Sequence, residues 1–143
     1  MADDHHNNSY VISFRYDDFR YLTTGDAEEK AEERLVKHKP GLLEADVYHA
    51  GHHASDTSST EDFLTEVRPN IAIVSSDNPN QYGHPDDEVM ERFSDIGIIT
   101  YWTAVHGNLT IFSDGADYVV EADKDATTDG EELLDRKEER DDG

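Results

Sequence analysis

Eight histidines and no cysteine confine any metal chemistry in this chain to imidazole, carboxylate and amide ligands. Four of the histidines stand in adjacent pairs, His5-His6 and His52-His53, and the second pair follows Gly51, which lets the backbone turn closely past a site. Neighbouring side chains of an extended loop point opposite ways, so one imidazole can bind metal while the other meets substrate. The pair can equally be ordinary polar surface. Asp26, at the end of Thr24-Gly25-Asp26, is a carboxylate that could bridge two divalent ions. It could instead cap the helix that follows, with Glu29 completing a capping box. His84, in Tyr82-Gly83-His84-Pro85, stands before a helix start, where an anionic ligand is favoured and an imidazole suits the role of neutral base or hydrogen-bond donor. A plain turn is the alternative.

Asn7-Asn8-Ser9 is a further candidate, with turn formation as its bland counterpart, and Ser55, Thr57, Ser58 and Ser59 are loop and cap residues by type. His5 and His6 fall near the terminus, while His38, His49 and His106 are expected to be structural or at the surface. Trp102, Tyr101 and the phenylalanines are expected in the core rather than as a base-stacking platform, since no basic stripe runs beside them.

These residues make a site only if strands deliver them to one place. Residues 9–16 and 19–23, β-branched and aromatic around Asp17-Asp18, predict a β-hairpin. Residues 27–38 predict a helix with Ala27, Ala31 and Leu35 on a narrow apolar stripe, ended by Pro40-Gly41. A short strand over 45–50 leads into the His52-His53 loop. Thr60 or Ser59 caps a helix running to Arg68, and the apolar run 71–75 predicts a strand buried on both faces. A helix from Pro85 to Gly97, then strands over 98–102, 109–112 and 118–120, complete the pattern. Helices between strands predict a mixed α/β layer with the helices on one face of the sheet, leaving the other face in need of a partner. All three polar segments, around Asp26, His52-His53 and His84, then follow strand C-termini, where open α/β sheets keep their sites.

At 143 residues the chain is one domain's worth, and 34 Asp plus Glu against 12 Lys plus Arg give a net charge of −22. Binding phosphate backbones by charge alone is disfavoured. Residues 121–143 carry eleven acids and four bases and are expected to form a disordered acidic tail, with residues 1–120 as the folded domain. The acidic coat over the body suggests a halophilic source. No signal peptide or membrane span is evident, so the default expectation is a cytoplasmic protein.

The string Asn7-Asn8-Ser9, Leu22-Thr23-Thr24-Gly25-Asp26, Tyr48-His49-Ala50-Gly51-His52-His53-Ala54-Ser55-Asp56-Thr57-Ser58-Ser59, Val67-Arg68-Pro69 and Asn80-Gln81-Tyr82-Gly83-His84-Pro85 resembles the metallo-β-lactamase-type hydrolase domain of the ComEC/Rec2 competence proteins. The resemblance implies half of an αββα sandwich, the two halves packing sheet to sheet, with a two-metal site of zinc or manganese at one edge that hydrolyses phosphodiesters, DNA among them. It implies Asp26 as bridging ligand, His53 as ligand with His52 as substrate contact or second ligand, and His84 near the scissile phosphate. Asn8, Ser55 and Tyr82 would line the substrate. The family's His-x-His-x-Asp-His motif does not occur here. The expected metal-dependent phosphodiesterase or nuclease is therefore the second half of a fold, incomplete without a first-half chain. The alternative is a noncatalytic binding or assembly module, or a relic, that covers its open sheet face with a partner or by homodimerisation.

Overall fold

The computed structural model describes residues 10–25, 27–55, 57–76 and 85–141, and for Pro40, His52, His53 and 136–141 the backbone alone. Five strands, β1 (Ile12–Tyr16), β2 (Phe19–Thr23), β3 (Val47–His49), β4 (Ile71–Val74) and β5 (Ile99–Trp102), form one sheet in chain order. β1 is antiparallel to β2, and all the other pairs are parallel. Each parallel step is bridged by a helix: α1 (Glu29–His38), α2 (Glu61–Val67) and α3 (Asp87–Ile96). Successive crossovers of one hand between neighbouring strands place their helices on one side of a sheet.

That side holds the larger core. Leu22, Tyr48, Ala72, Val74 and Trp102 of the sheet meet Phe63, Leu64 and Val67 of α2 and Val89, Met90 and Phe93 of α3. Local chemistry sets the helix ends, at Thr60 and Gly97 as expected and two residues later than expected at the starts of α1 and α3. The Thr60 hydroxyl accepts from Phe63 N–H, the Asp86 carboxylate accepts from Glu88 N–H, and Gly97 closes α3 at φ 90°. The cap position of α1 is Glu28, whose side chain makes no cap bond; this is two residues past Asp26, which lies outside the described residues. All four residues of β4 are buried, as a strand covered on both faces requires.

The second face is covered from within the chain. After the one-turn helix α4 (Thr103–His106), β6 (Leu109–Ser113) and β7 (Tyr118–Ala122) form an antiparallel hairpin. Its Leu109, Ile111, Tyr118 and Val120 pack on Phe19, Val47, Ile71 and Ile73. The cover stops short of β1. Ile12, Phe14 and Tyr16 alternate along that strand, share a face with Phe19 and Tyr21 by register, and remain about half exposed. Phe14 and Phe112 therefore correct the expectation that every phenylalanine is core.

Residues 121–141 differ from the disordered tail expected over 121–143. β7 runs to Ala122, and α5 (Gly130–Asp141) docks on α3, with Leu133 fully buried. Two devices hold the connection. Thr100 N–H donates to the Thr128 carbonyl at 2.8 Å. Buried His106 accepts from Trp102 N–H on Nδ1 at 2.9 Å, so its Nε2–H donates to the Thr127 carbonyl at 3.0 Å. Gly130 is required because a Cβ there would run into the Met90 carbonyl. One apolar pair, Leu133-Leu134, is too little for a periodicity, yet a single leucine in a pocket is enough to dock a helix. Leu133→Ala is expected to lower unfolding free energy by about 2–4 kcal/mol in a denaturant titration. A freely disordered tail gives no change.

Candidate functional site

Three segments leave the sheet at one edge. β2, β3 and β4 are parallel neighbours with Thr23 opposite His49 and His49 opposite Ile73. The turn bearing Asp26, the 3-10 turn Gly51–Ala54 bearing His52 and His53, and segment 77–84 bearing Tyr82 and His84 therefore all begin on the same side of the sheet. Asn8, Asp26, Tyr82 and His84 lie outside the described residues, so the backbone flanking the segments defines the site.

That backbone is in contact. A Cβ on Gly51 would stand 2.5 Å from Thr24 Oγ1, 3.3 Å from the Ala27 carbonyl oxygen and 3.5 Å from that of Gly25. Both flanks of Asp26 thus press on the residue before His52, and only glycine fits there. On the far side of the pair, Asp86 N–H donates to the Ala54 carbonyl at 2.9 Å, linking the residue after His53 to a residue two beyond His84. A cap, a loop pair and a turn with unrelated local roles have no reason to adjoin in this way.

A row of hydrogen bonds crosses the same edge. Thr23 Oγ1 and His49 Nδ1 are 3.0 Å apart, and His49 Nε2 and Ser75 Oγ are 2.8 Å apart. One ring nitrogen donates and the other accepts, with the hydroxyls taking the complementary roles. His49, half-buried at the end of β3, ties the ends of β2 and β4 together, a role its alternation with Val47 on the hairpin-facing side makes readable in retrospect. Ser55 is buried, its hydroxyl 3.1 Å from that of Thr57 and accepting Thr57 N–H at 3.4 Å, so its described contacts are those of a loop staple. The Thr24 hydroxyl is buried without a partner of full hydrogen-bond geometry among the described residues, though it lies near enough to the Tyr48 phenol to act on its ionisation.

Two ionisable groups lie behind the histidine turn, Tyr48, which opens the quoted histidine motif without a role assigned to it, and Glu32, which no motif singles out. Burial pushes the Tyr48 phenol up to about 12, and the Glu32 charge adds to that shift, so it is a neutral hydroxyl, accepting Gly51 N–H at 3.3 Å. Burial pushes the Glu32 carboxyl up to about 7 against the opposing pull of the Thr60 and Ser59 amides, the Thr60 hydroxyl and Arg92. A signal for Glu32 existed: Leu35 and Val36 stand three and four residues on, which puts a carboxylate inside a helical apolar face.

The donors available, one carboxylate and a pair of imidazoles, match what zinc or manganese takes, and the glycine cradle brings their backbones close. They supply fewer than the ligands a closed two-metal site needs. Among the described residues no group of three His, Asp or Glu is placed to hold a metal, and no described helix is long and apolar enough to cross a membrane.

The chain matches no protein-family model. It is similar to the competence protein ComA of Neisseria gonorrhoeae, 42% identical over 88 residues, which is 62% of this chain and 13% of that protein. It is also similar to recombination protein 2 of Haemophilus influenzae, 37% identical over 107 residues, or 73% of this chain and 13% of that protein. ComE operon protein 3 of Bacillus subtilis is 33% identical over 85 residues, 59% of this chain and 11% of that protein. The chain thus spans only 11–13% of the length of these relatives.

Proposed function

We propose that this chain serves a competence-related process and carries one side of a metal-dependent phosphodiesterase site of the metallo-β-lactamase type. The observation that carries this reading is the meeting of the backbones that flank Asp26, His52-His53 and His84 at the C-terminal edge of β2, β3 and β4. Similarity to proteins named for competence and recombination makes DNA the favoured phosphodiester. Asp26, His53 and His52 would hold zinc or manganese, which when bound supplies Lewis-acid activation for hydrolysis. His84, before the α3 N-terminus, would meet the scissile phosphate. Asn8 and Tyr82 would orient the ester, and Ser55 would join them on release of its Thr57 bond. The remaining ligands would come from a first-half polypeptide bearing His-x-His-x-Asp-His.

The test is metal content by mass spectrometry and hydrolysis of bis-p-nitrophenyl phosphate and single-stranded DNA, with and without a supplied first-half polypeptide. Expected are Zn²⁺ or Mn²⁺ retained by the combined chains, turnover only in their presence, and loss of both in Asp26→Asn and His53→Ala. Turnover that survives both substitutions, or no metal in either preparation, defeats the reading.

A binding or assembly module is the second reading, favoured by the exposed Ile12, Phe14 and Tyr16 on edge strand β1. A tight complex with the first-half polypeptide that neither binds metal nor hydrolyses either ester would select it.

A further inference from the structure

Glu32 is a fully buried carboxylate to which the proposed chemistry assigns no role. Its oxygens point at backbone. Oε2 accepts from Ser59 N–H at 2.6 Å and Oε1 from Thr60 N–H at 2.9 Å. The Ser59 carbonyl accepts from Arg92 Nη1 of α3 at 2.7 Å, and the Ser59 hydroxyl shares a 2.9 Å bond with the Tyr48 phenol of β3. Amide, carbonyl and hydroxyl of one residue are therefore each held, by side chains from three different elements.

Ser59 needs such holding because it sits at φ 55°, in the left-handed region that a serine seldom adopts. Ala54, at φ 60°, is a second non-glycine residue of this kind in the same segment. The far end of the segment is tied to the same cluster. Tyr48 accepts Gly51 N–H, and the Ser58 hydroxyl donates to the Gly51 carbonyl at 3.2 Å. Gly51 opens the turn that carries His52 and His53.

We propose that Glu32 is a positioning residue: by gripping the amides of Ser59 and Thr60, with Arg92 and Tyr48 completing the grip, it fixes residues 51–60 in the strained path that presents His52-His53 at the sheet edge. The functional weight of this clamp rests on the reading of that pair as ligand and substrate contact. Its mechanical part stands on the described bonds alone. Ionised, as it is above about pH 7, the carboxylate suits the task because both oxygens accept, whereas an amide side chain offers one acceptor and turns a donor on the second N–H.

The experiment is residue-resolved amide hydrogen exchange by NMR on the 143-residue chain, with global stability measured in parallel. Glu32→Leu fills the space and leaves the Ser59 and Thr60 amides unpaired. Glu32→Gln restores one acceptor, and Arg92→Met releases the Ser59 carbonyl from a partly exposed position, so it tests the clamp even should a Glu32 variant fail to fold. Expected for Glu32→Leu is at least tenfold faster exchange at Ser59 and Thr60, with Gly51 and Ser58 following and the His52 and His53 ring resonances shifting. The β4 amides and the His106 ring should not change. Glu32→Gln should recover part of the protection, and Arg92→Met should loosen the segment less than Glu32→Leu. Unchanged exchange at Ser59 and Thr60, or a uniform rise across β4 and β5 with no local excess, overturns the proposal.

Titration of the same proteins with Zn²⁺, in the presence of the first-half polypeptide, separates the two readings. A clamp signature without any metal binding removes the ligand assignment and leaves the clamp. Metal affinity untouched by a demonstrably loosened 51–60 segment removes the positioning role and leaves the ligand assignment.

Discussion

The melting temperature of the 143-residue chain is expected to rise by on the order of 10 °C from dilute buffer to molar KCl, a few kcal/mol at this chain length. The cause is a net charge of −22 from 34 acids and 12 bases on one small fold. Screening weakens attraction and repulsion alike, so the outcome depends on which is stronger at low salt. Among the described residues, the ion pairs Arg20–Glu44 at 3.3 Å, Arg68–Glu44 at 3.4 Å and Arg92–Glu88 at 3.5 Å each have a solvent-exposed partner. Such pairs contribute at most about 1 kcal/mol each, so little is lost when salt weakens them. Repulsion among the remaining acids is relieved at the same time, and that relief outweighs the loss. Most of the gain should arrive by about 0.5 M, since the Debye length has already fallen to about 10 Å at 0.1 M. A rise that begins only at higher salt would indicate salting-out of apolar surface instead, and a flat or falling melting curve would remove the proposal of a chain adapted to high salt.

What the sequence made legible follows from how local each determinant is. The run Ile71-Ala72-Ile73-Val74 reads as a doubly covered strand because no polar residue interrupts it, and all four are buried. Thr60 and Gly97 mark helix ends through bonds and backbone angles made within a few residues of themselves, while the start expected at Pro85 falls two residues on, with Asp86 as the cap. The order of strands and helices then leaves the polar turns little choice but the same edge, which is why the segments bearing Asp26, His52-His53 and His84 are expected together from the sequence alone, and the described backbone flanking them meets there. The β6–β7 hairpin shows where that logic stops. Its strands are readable one by one, but their lodging on Phe19, Val47, Ile71 and Ile73 is a tertiary choice, and it changes the apolar face left open from a whole sheet side to the neighbourhood of β1. Segment 121–141 was illegible for the opposite reason, since its composition is that of a solvated tail and its order depends on Leu133, Gly130 and the His106 bond. Glu32 carries a faint signal in its spacing from Leu35 and Val36, but its task and that of Arg92 come into view only with the strained serine they hold.

The same carboxylate sets the second large effect, in the opposite direction to that expected of most acids in a protein. Burial holds the Glu32 carboxyl at about 7 in the folded chain against an ordinary value of 4.5. Between those two values the native state binds a proton that the unfolded chain has released, so stability falls as pH rises through the window. A raised carboxylate contributes fully below the unfolded value, and its contribution is gone above the folded one. The shift corresponds to about 3 kcal/mol, taking about 1.4 kcal/mol per pH unit. The side chain has no exposed surface, so solvent screening does not reduce this figure in the manner of a surface group. Glu32→Gln lacks the titration, and subtracting its stability from that of the parent cancels the background of other acids. The parent-minus-variant difference should drop by about 3 kcal/mol between about pH 4.5 and pH 7 and be level above pH 8, as read from urea midpoints at fixed salt. A difference that is flat over this range, or that grows with pH as a salt-bridged carboxylate would make it, contradicts the burial of Glu32. The carboxylate ionised at pH 8 is the form with an acceptor for both amides it holds, those of the left-handed Ser59 and of Thr60, with the Arg92 cation also favouring that charge.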